Sequence, residues 1–320
     1  MTRAVPCLLG RRIVPTVWGG DNLSRVLGLE LPRGERVGET WEAFDRPDGS
    51  SELVGLGATL HEVVRSDAAT WLGRRFADCD RFPLLLKFID AQDALSVQLH
   101  PSDADAVGDS GKHEAWVVLA AGENARIIRG LAPGVDPVDF AAAIGTPELD
   151  DMLHSFRPEV GSAIMVPAGT VHAIGPDVVL FEVQQNSDLT YRIFDWGRDR
   201  ELHVEQAKQA MRHDDSELPQ TETPVDTGDG GQWLIRHDAF SVRRYDLGAP
   251  KTMSTDGEFR LLTVIGGQGT LGWRSGGDDP PLIVRTGQTV LVPAATEQVF
   301  LSPVGRFDYL WTAPGDALVP

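Results

Sequence analysis

Thirty-four glycines and twenty-one prolines are spread along this chain of 320 residues. They cut it into short segments, few of which leave room for a helix of several turns. Many of the segments are apolar or alternate apolar with polar residues, among them PLLLKFIDA, LSVQLHP, EAWVVLAAG, SAIMVPAG, VVLFEVQQ, TYRIFDW, FRLLTVIGG and RFDYLWTAP. LVGLGATLHEVV also reads as strand. Short apolar runs bounded by turn residues predict a mainly β protein built of jelly-roll barrels. Helical periodicity is confined mainly to SDAATWLGRRF, residues 135–156 and LHVEQAKQAMRH. Ser66 and Asp67 are the N-caps expected for the first of these.

Composition removes several classes of function. The formal net charge of −18 repels nucleic acid and anionic membranes. A phosphate site on such a chain needs its own local cations. No apolar run approaches the ~18–20 residues of a membrane span. The opening MTRAVPCLLGRRIVP lacks the small-residue cleavage site of a secretory signal. Cys7 and Cys79 form no close pair, as expected of free thiols in a reducing cytoplasm.

The polar, Pro- and Gly-containing stretch 214–231 reads as a linker, and an internal echo lies on either side of it. AIMVPAGTVHAI (163–174) resembles TVLVPAATEQVF (289–300), and WVVLAAGENARI (116–127) resembles LLTVIGGQGTLG (261–272). The helical stretch 135–156 accounts for the difference in spacing. The expected organisation is therefore a first barrel over 1–213, the linker 214–231 and a second barrel over 232–320. His172 falls on Gln298 in the echo and Glu114 on Phe259, so only the first copy keeps metal-type side chains.

In SVQLH, strand alternation puts Ser96, Gln98 and His100 on one face of a strand that belongs in the core. GKHEAW puts Lys112 with Glu114, and GTVHAI puts Thr170 with His172. Two imidazoles, a carboxylate and an amide carbonyl form a divalent-metal set with mixed N and O donors. Taken singly, each is more often a satisfied core or rim residue; their joint appearance in one copy favours metal. His61, His113, His154, His203, His213 and His237 read as surface or packing residues.

Three cations accompany this set. Arg192 follows His172 by one further strand and offers a planar fork for phosphate oxygens, unless Asp188 or Asp195 claims it. Lys112 shares the face of Glu114. Lys87 stands in the apolar run LLLKFID, where burial demands an anionic partner and the alternative is snorkelling to the rim.

In order along the chain, VWGG, PLLLKFIDAQDALSVQLHPSD, GKHEAW, VPAGTVHAIG, FEVQQNSDLTYRIFDWGR and LHVEQA resemble the type I mannose-6-phosphate isomerases of short bacterial form, within the cupin superfamily. The resemblance implies tandem cupin barrels with a few inserted helices. It implies a zinc-dependent isomerase, with one Zn2+ per chain, that interconverts mannose 6-phosphate and fructose 6-phosphate through an enediol. By position, Gln98, His100, Glu114 and His172 take the places of the metal ligands. Lys112 and Arg192 take those of the active-site lysine and arginine, and Ser96 that of the pocket serine. Lys87 and Arg192 are the expected phosphate-binding cations. Proton transfer between C1 and C2 stays open between Lys112, Asp188 and a metal-bound water. The chain departs from the family's usual wording in GETWEAFDRPDG (38–49), in His113 where a small hydroxyl is common, and in FDWGR, elsewhere richer in tyrosine. The rival readings are a cupin dioxygenase, since two His and one Glu also suit iron, and a sugar-phosphate-binding bicupin without catalysis.

Overall fold

A computed structural model describes residues 2–212, 219–274, 279–316 and 318. The short segments become antiparallel strands. In chain order these are β1 (Arg12–Gly20), β2 (Val37–Ala43), β3 (Leu84–Ala91), β4 (Val97–Leu99), β5 (Glu114–Ala121), β6 (Ile127–Leu131), β7 (Leu153–Phe156), β8 (Ala163–Val166), β9 (His172–Ile174), β10 (Val178–Gln185) and β11 (Tyr191–Phe194). One six-stranded sheet has the order β8-β5-β10-β3-β2-β1, and a five-stranded sheet the order β7-β6-β9-β4-β11. Ile89, Trp116, Val118 and Leu180 of the first meet Ile127 and Ile174 of the second in one apolar cluster. The mainly β, jelly-roll architecture thus follows from strands that alternate inward and outward.

A nine-stranded sheet holds β12 (Gln232–Arg236), β13 (Phe240–Leu247), β14 (Arg260–Trp273), β15 (Thr289–Val292), β16 (Gln298–Pro314) and four other short strands. One of those is Cys7–Leu8, which pairs with β15. Within the stretch read as a linker, Val225–Asp226 pairs with β12 and Glu222 bridges to Ala163; residues 214–218 and His213 lie outside the described residues. The two halves share a core in which Leu84, Leu86 and Phe181 join Phe240, Phe259 and Leu310. Phe259, the echo of Glu114, is fully buried against Phe76 and Phe82 at centroid distances of 5.7 and 4.8 Å. Gln298, the echo of His172, opens β16 and is exposed.

Helices are few, and their bounds differ from the expected ones. The segment read as strand at LHEVV is the start of a helix, Leu60–Leu72. Thr59 caps it, accepting from the Glu62 amide while the Glu62 carboxylate accepts from the Thr59 amide. Asp67 is a break inside this helix (φ −163°, ψ 72°), and its carboxylate accepts from the Thr70 amide, restarting the turn as a cap does. Residues 135–156 split into the helix Pro137–Ala143, a 3₁₀ turn Pro147–Met152 and strand β7. LHVEQAKQAMRH contributes the helix Val204–Ala210, and Asn22–Leu27 forms a short helix that the periodicity did not indicate. No helix among the described residues is long and apolar enough to cross a membrane.

Arg11 ties the halves together, bonding the Gly287 carbonyl on one side and the fully buried Glu42 carboxylate, 3.2 Å away, on the other. Burial outweighs Arg11 and the Thr40 hydroxyl and raises the Glu42 carboxyl to about 7. The unfolded chain loses this proton near its ordinary 4.5 and the folded chain near 7. The contribution to stability is therefore full below pH 4.5 and falls as pH rises to 7, by about 3 kcal/mol. Denaturant titrations from pH 4.5 to 8 are expected to show this decline, flattened in Glu42→Gln.

Candidate metal centre and substrate cavity

Two cross-strand rows build the site. On the six-stranded sheet, Trp41 of β2 lies opposite Lys87 of β3, Lys87 opposite Glu182 of β10, and Glu182 opposite Trp116 of β5. On the five-stranded sheet, Arg192 of β11 lies opposite Gln98 of β4, and Gln98 opposite His172 of β9. The rows face one cavity of about 230 Å³, lined by Ser96, Gln98, Lys87, Lys112, Glu114, His172, Asp188 and Arg192 and also by Glu39, Glu182 and Arg200. His100, just past the end of β4, completes its floor against Glu114. All eight of the expected lining residues and His100 are thus gathered at one place. A larger hollow of about 660 Å³, lined by Arg46, Phe82, Asp109, Asn186 and neighbours, holds none of them.

The floor is a cluster of nearly fully buried side chains. Glu114 lies 3.1 Å from His100 Nε2 and 3.2 Å from His172 Nε2. The three ligand atoms lie within 4.8 Å of one another. His100 Nδ1 faces the Leu189 carbonyl at 2.8 Å and His172 Nδ1 the Thr170 carbonyl at 2.9 Å. Carbonyls only accept, so both protons are assigned to Nδ1 and both Nε2 lone pairs point inward. Burial and then Lys112 push His100 down to about 3, and burial lowers His172, so both rings are neutral. Burial is the strongest single influence on Glu114 and would lift it, but Lys112, 3.1 Å away, together with His100 and His172 overrides it and holds the carboxyl well below its usual range.

Neutral Nε2 and an ionised carboxylate are all acceptors. Lys112 Nζ relieves the His100 side, 3.2 Å from Nε2. On the other side, His172 Nε2 and Glu114 Oε1 stand 3.2 Å apart as two lone-pair donors face to face. Such a set fits a divalent cation. Gln98 presents its amide 3.5 Å from His172 Nε2, with Oε1 accepting from Ser96 Oγ at 3.1 Å. A half-turn of that amide, equal in shape, brings the carbonyl to the cluster.

Lys87 does not reach the rim. It is 5% exposed, 3.3 Å from Glu39 and 3.4 Å from Glu182, and lies over the Trp41 ring. Burial opposes its charge, but the two carboxylates prevail and raise its pKa. Trp116 Nε1 donates to Glu182 at 3.0 Å and its ring meets His172 edge-on, which connects this web to the floor.

Arg192 is not claimed by Asp188 or Asp195. Its Nη1 donates to the Glu201 carbonyl at 2.9 Å, and its Nε is buried with no partner. Asp195 instead binds Arg198 and Arg200, the latter at 2.6 and 2.7 Å. Burial and then the neighbouring charge of Arg200 lower Arg192, the mark of two cations sharing a wall. Asp188 is exposed at the mouth, where its amide donates to Asp109. Of the other histidines, His203 accepts from the Arg192 amide, His113 accepts from the Ala168 amide and packs on His237, His61 pairs with Asp45, and His154 meets Gln220.

Glu39, Glu182 and Arg200 escaped the sequence reading. The signal for Glu182 was present: it is the lone carboxylate of VVLFEVQQ, like Lys87 in its own apolar run, whose burial required an anion, whereas Glu39 shares VGETWEA with Glu42. Arg200 lies in a loop and carried no such mark.

A family model described as "Phosphomannose isomerase type I, catalytic domain" matches residues 9–116. The mannose-6-phosphate isomerase of Streptococcus mutans is 31% identical over 283 residues, covering 84% of this chain and 87% of the relative. Mannose-6-phosphate isomerase ManA of Bacillus subtilis is 31% identical over 80% of this chain and 84% of its own. The crystal structure of the mannose 6-phosphate isomerase from Bacillus subtilis superposes with a TM-score of 0.85 at 28% identity, covering 97% of this chain and 99% of that one.

Removing one member of the Lys87 web leaves uncompensated buried charge. Lys87→Met is expected to cost about 3–5 kcal/mol in urea denaturation, and Glu182→Gln in the same chain to recover part of it.

Proposed function

This chain belongs to the type I mannose-6-phosphate isomerase family, and from that premise we propose that it interconverts mannose 6-phosphate and fructose 6-phosphate through an enediol, with one zinc ion per chain. The observation that carries the metal reading is the meeting of acceptors at His100, Glu114 and His172. Together with Gln98 these residues would hold the ion. When bound, it supplies positive charge against the C1 and C2 oxygens, where charge develops as the enediol forms.

The chain's own residues do the rest. Four cations (Lys87, Lys112, Arg192, Arg200) and four carboxylates (Glu39, Glu114, Glu182, Asp188) line the cavity. Their charges cancel, so a divalent ion leaves an excess of two, close to the ≈ −1.5 to −2 of a phosphate monoester near neutrality. Arg192 and Arg200 share the mouth and offer forked donors to that phosphate. Lys87 is already bound to two carboxylates, so its part is to fix their places rather than to seize the phosphate. Ser96 orients the Gln98 amide. Of the chain's own groups in the cavity, Lys112, in contact with the floor, or Asp188, at the mouth, is the one to carry a proton between C1 and C2.

The same reading assigns the chemistry to residues 1–213 and a supporting role to 232–320, joined through 214–231. Cys7 and Cys79, both buried and unpaired, fit a cytoplasmic setting.

Chelation is expected to abolish mannose 6-phosphate isomerisation, and zinc to restore it. His172→Ala should neither retain stoichiometric metal nor turn over. Full activity in the chelated chain or in that variant refutes the metal role. Arg192→Ala should raise KM for mannose 6-phosphate about tenfold or more, measured at saturating zinc.

A further inference from the structure

Trp196 holds a backbone conformation that large L residues avoid, with φ at +54°, and Gly197 follows at +80°. The Arg198 amide donates to the Asp195 carbonyl at 2.9 Å. Residues 195–198 therefore form a tight turn with both central residues at positive φ, where Asn-Gly or Gly-Gly is the usual pair. Tryptophan persists there through its ring. Its Nε1 donates to the Leu95 carbonyl at 2.6 Å, and it meets Phe194 edge-on at 5.1 Å. Arg198 reaches the same segment, donating to the Ala94 carbonyl at 2.9 Å. The turn is thus fastened to the residues that lead into Ser96 and Gln98.

The turn carries Asp195, which is only 3% exposed, and the Asp195 carboxylate grips the Arg200 guanidinium through two bonds. Where Arg200 points is consequently set by the turn, and the turn is held by the indole. Strain kept at a position where a smaller residue would relieve it is a mark of function.

We propose that Trp196 is a positioning residue for the phosphate: by its bond to Leu95 it holds the Asp195 turn in a strained form that keeps Arg200 beside Arg192 at the cavity mouth. This rests on the reading of Arg192 and Arg200 as the phosphate hold. Trp196 lies outside the cavity lining, so its effect belongs to sugar-phosphate binding rather than to proton transfer.

The test uses the full, zinc-loaded chain and three variants. Trp196→Asn accepts the turn but loses the anchor; Trp196→Phe keeps an aromatic ring but loses the N–H; Arg200→Ala removes the cation. KM and kcat for mannose 6-phosphate are read beside the affinity for inorganic phosphate by calorimetry. Both Trp196 variants are expected to raise KM at least fivefold and weaken phosphate by a similar factor, with kcat within twofold. Trp196→Asn should keep or raise the denaturation midpoint, since Asn tolerates left-handed backbone. Unchanged KM and phosphate affinity in both Trp196 variants, or a kcat loss as large as the KM gain, overturns the proposal. If Arg200→Ala weakens phosphate while the Trp196 variants do not, the positioning role alone fails. If Arg200→Ala also changes nothing, the phosphate hold itself is refuted, and the role of Trp196 with it.

Discussion

A slip of one residue in the pairing of His172 with Gln98 would turn one of the two side chains to the opposite face of their sheet. That register, with the one setting Glu182 opposite Lys87, determines which side chains enter the cavity. Both are fixed by what surrounds them. Val97 and Leu99 flank Gln98 and are fully buried on the other face, as is Val171 beside His172. Apolar burial on one side thus positions polar donors on the other. The floor owes its geometry to the sheets and needs no long loop to assemble it.

Such a floor is costly without compensation, because charges and lone pairs are withdrawn from water. The molecule answers in two ways. In the Lys87 web, compensation is internal: one ammonium between two carboxylates, with Trp41 and Trp116 supplying ring and N–H contacts. At His100, Glu114 and His172 it is incomplete, since Lys112 serves one side only. The two networks face each other across one cavity, the Lys87 web on the six-stranded sheet and His172 on the five-stranded one, and differ in how far their charges are met from within.

The centre was legible in the sequence because period-two alternation is local. Ser96, Gln98 and His100 could be placed on one face from five consecutive residues, and the loss of Glu114 and His172 in the second copy marked them as special. Partner assignments were less legible. That Glu182 lies opposite Lys87 depends on pairing between strands almost a hundred residues apart, and that Asp195 would choose Arg198 and Arg200 over Arg192 depends on a turn. The helix beginning at Leu60 was read as strand because GATLHEVV alternates as well as it winds; the Thr59 and Glu62 capping pair was the signal to weigh against alternation. The strain at Trp196 left no trace in composition, since tryptophan is not a residue that announces positive φ.

Cys7–Leu8 completes the sheet of the opposite half by pairing with Thr289–Val292, near the far end of the chain. On a ribosome adding ~5–20 residues per second, Cys7–Leu8 waits roughly tens of seconds for its partner to emerge. Until then, the amino-terminal half displays the apolar surface it will later share, Leu84, Leu86 and Phe181 included. Closure of this sheet thus waits for residues 289–292 to be made, and nascent chains halted before residue 289 carry an unpaired edge open to aggregation or to chaperone capture.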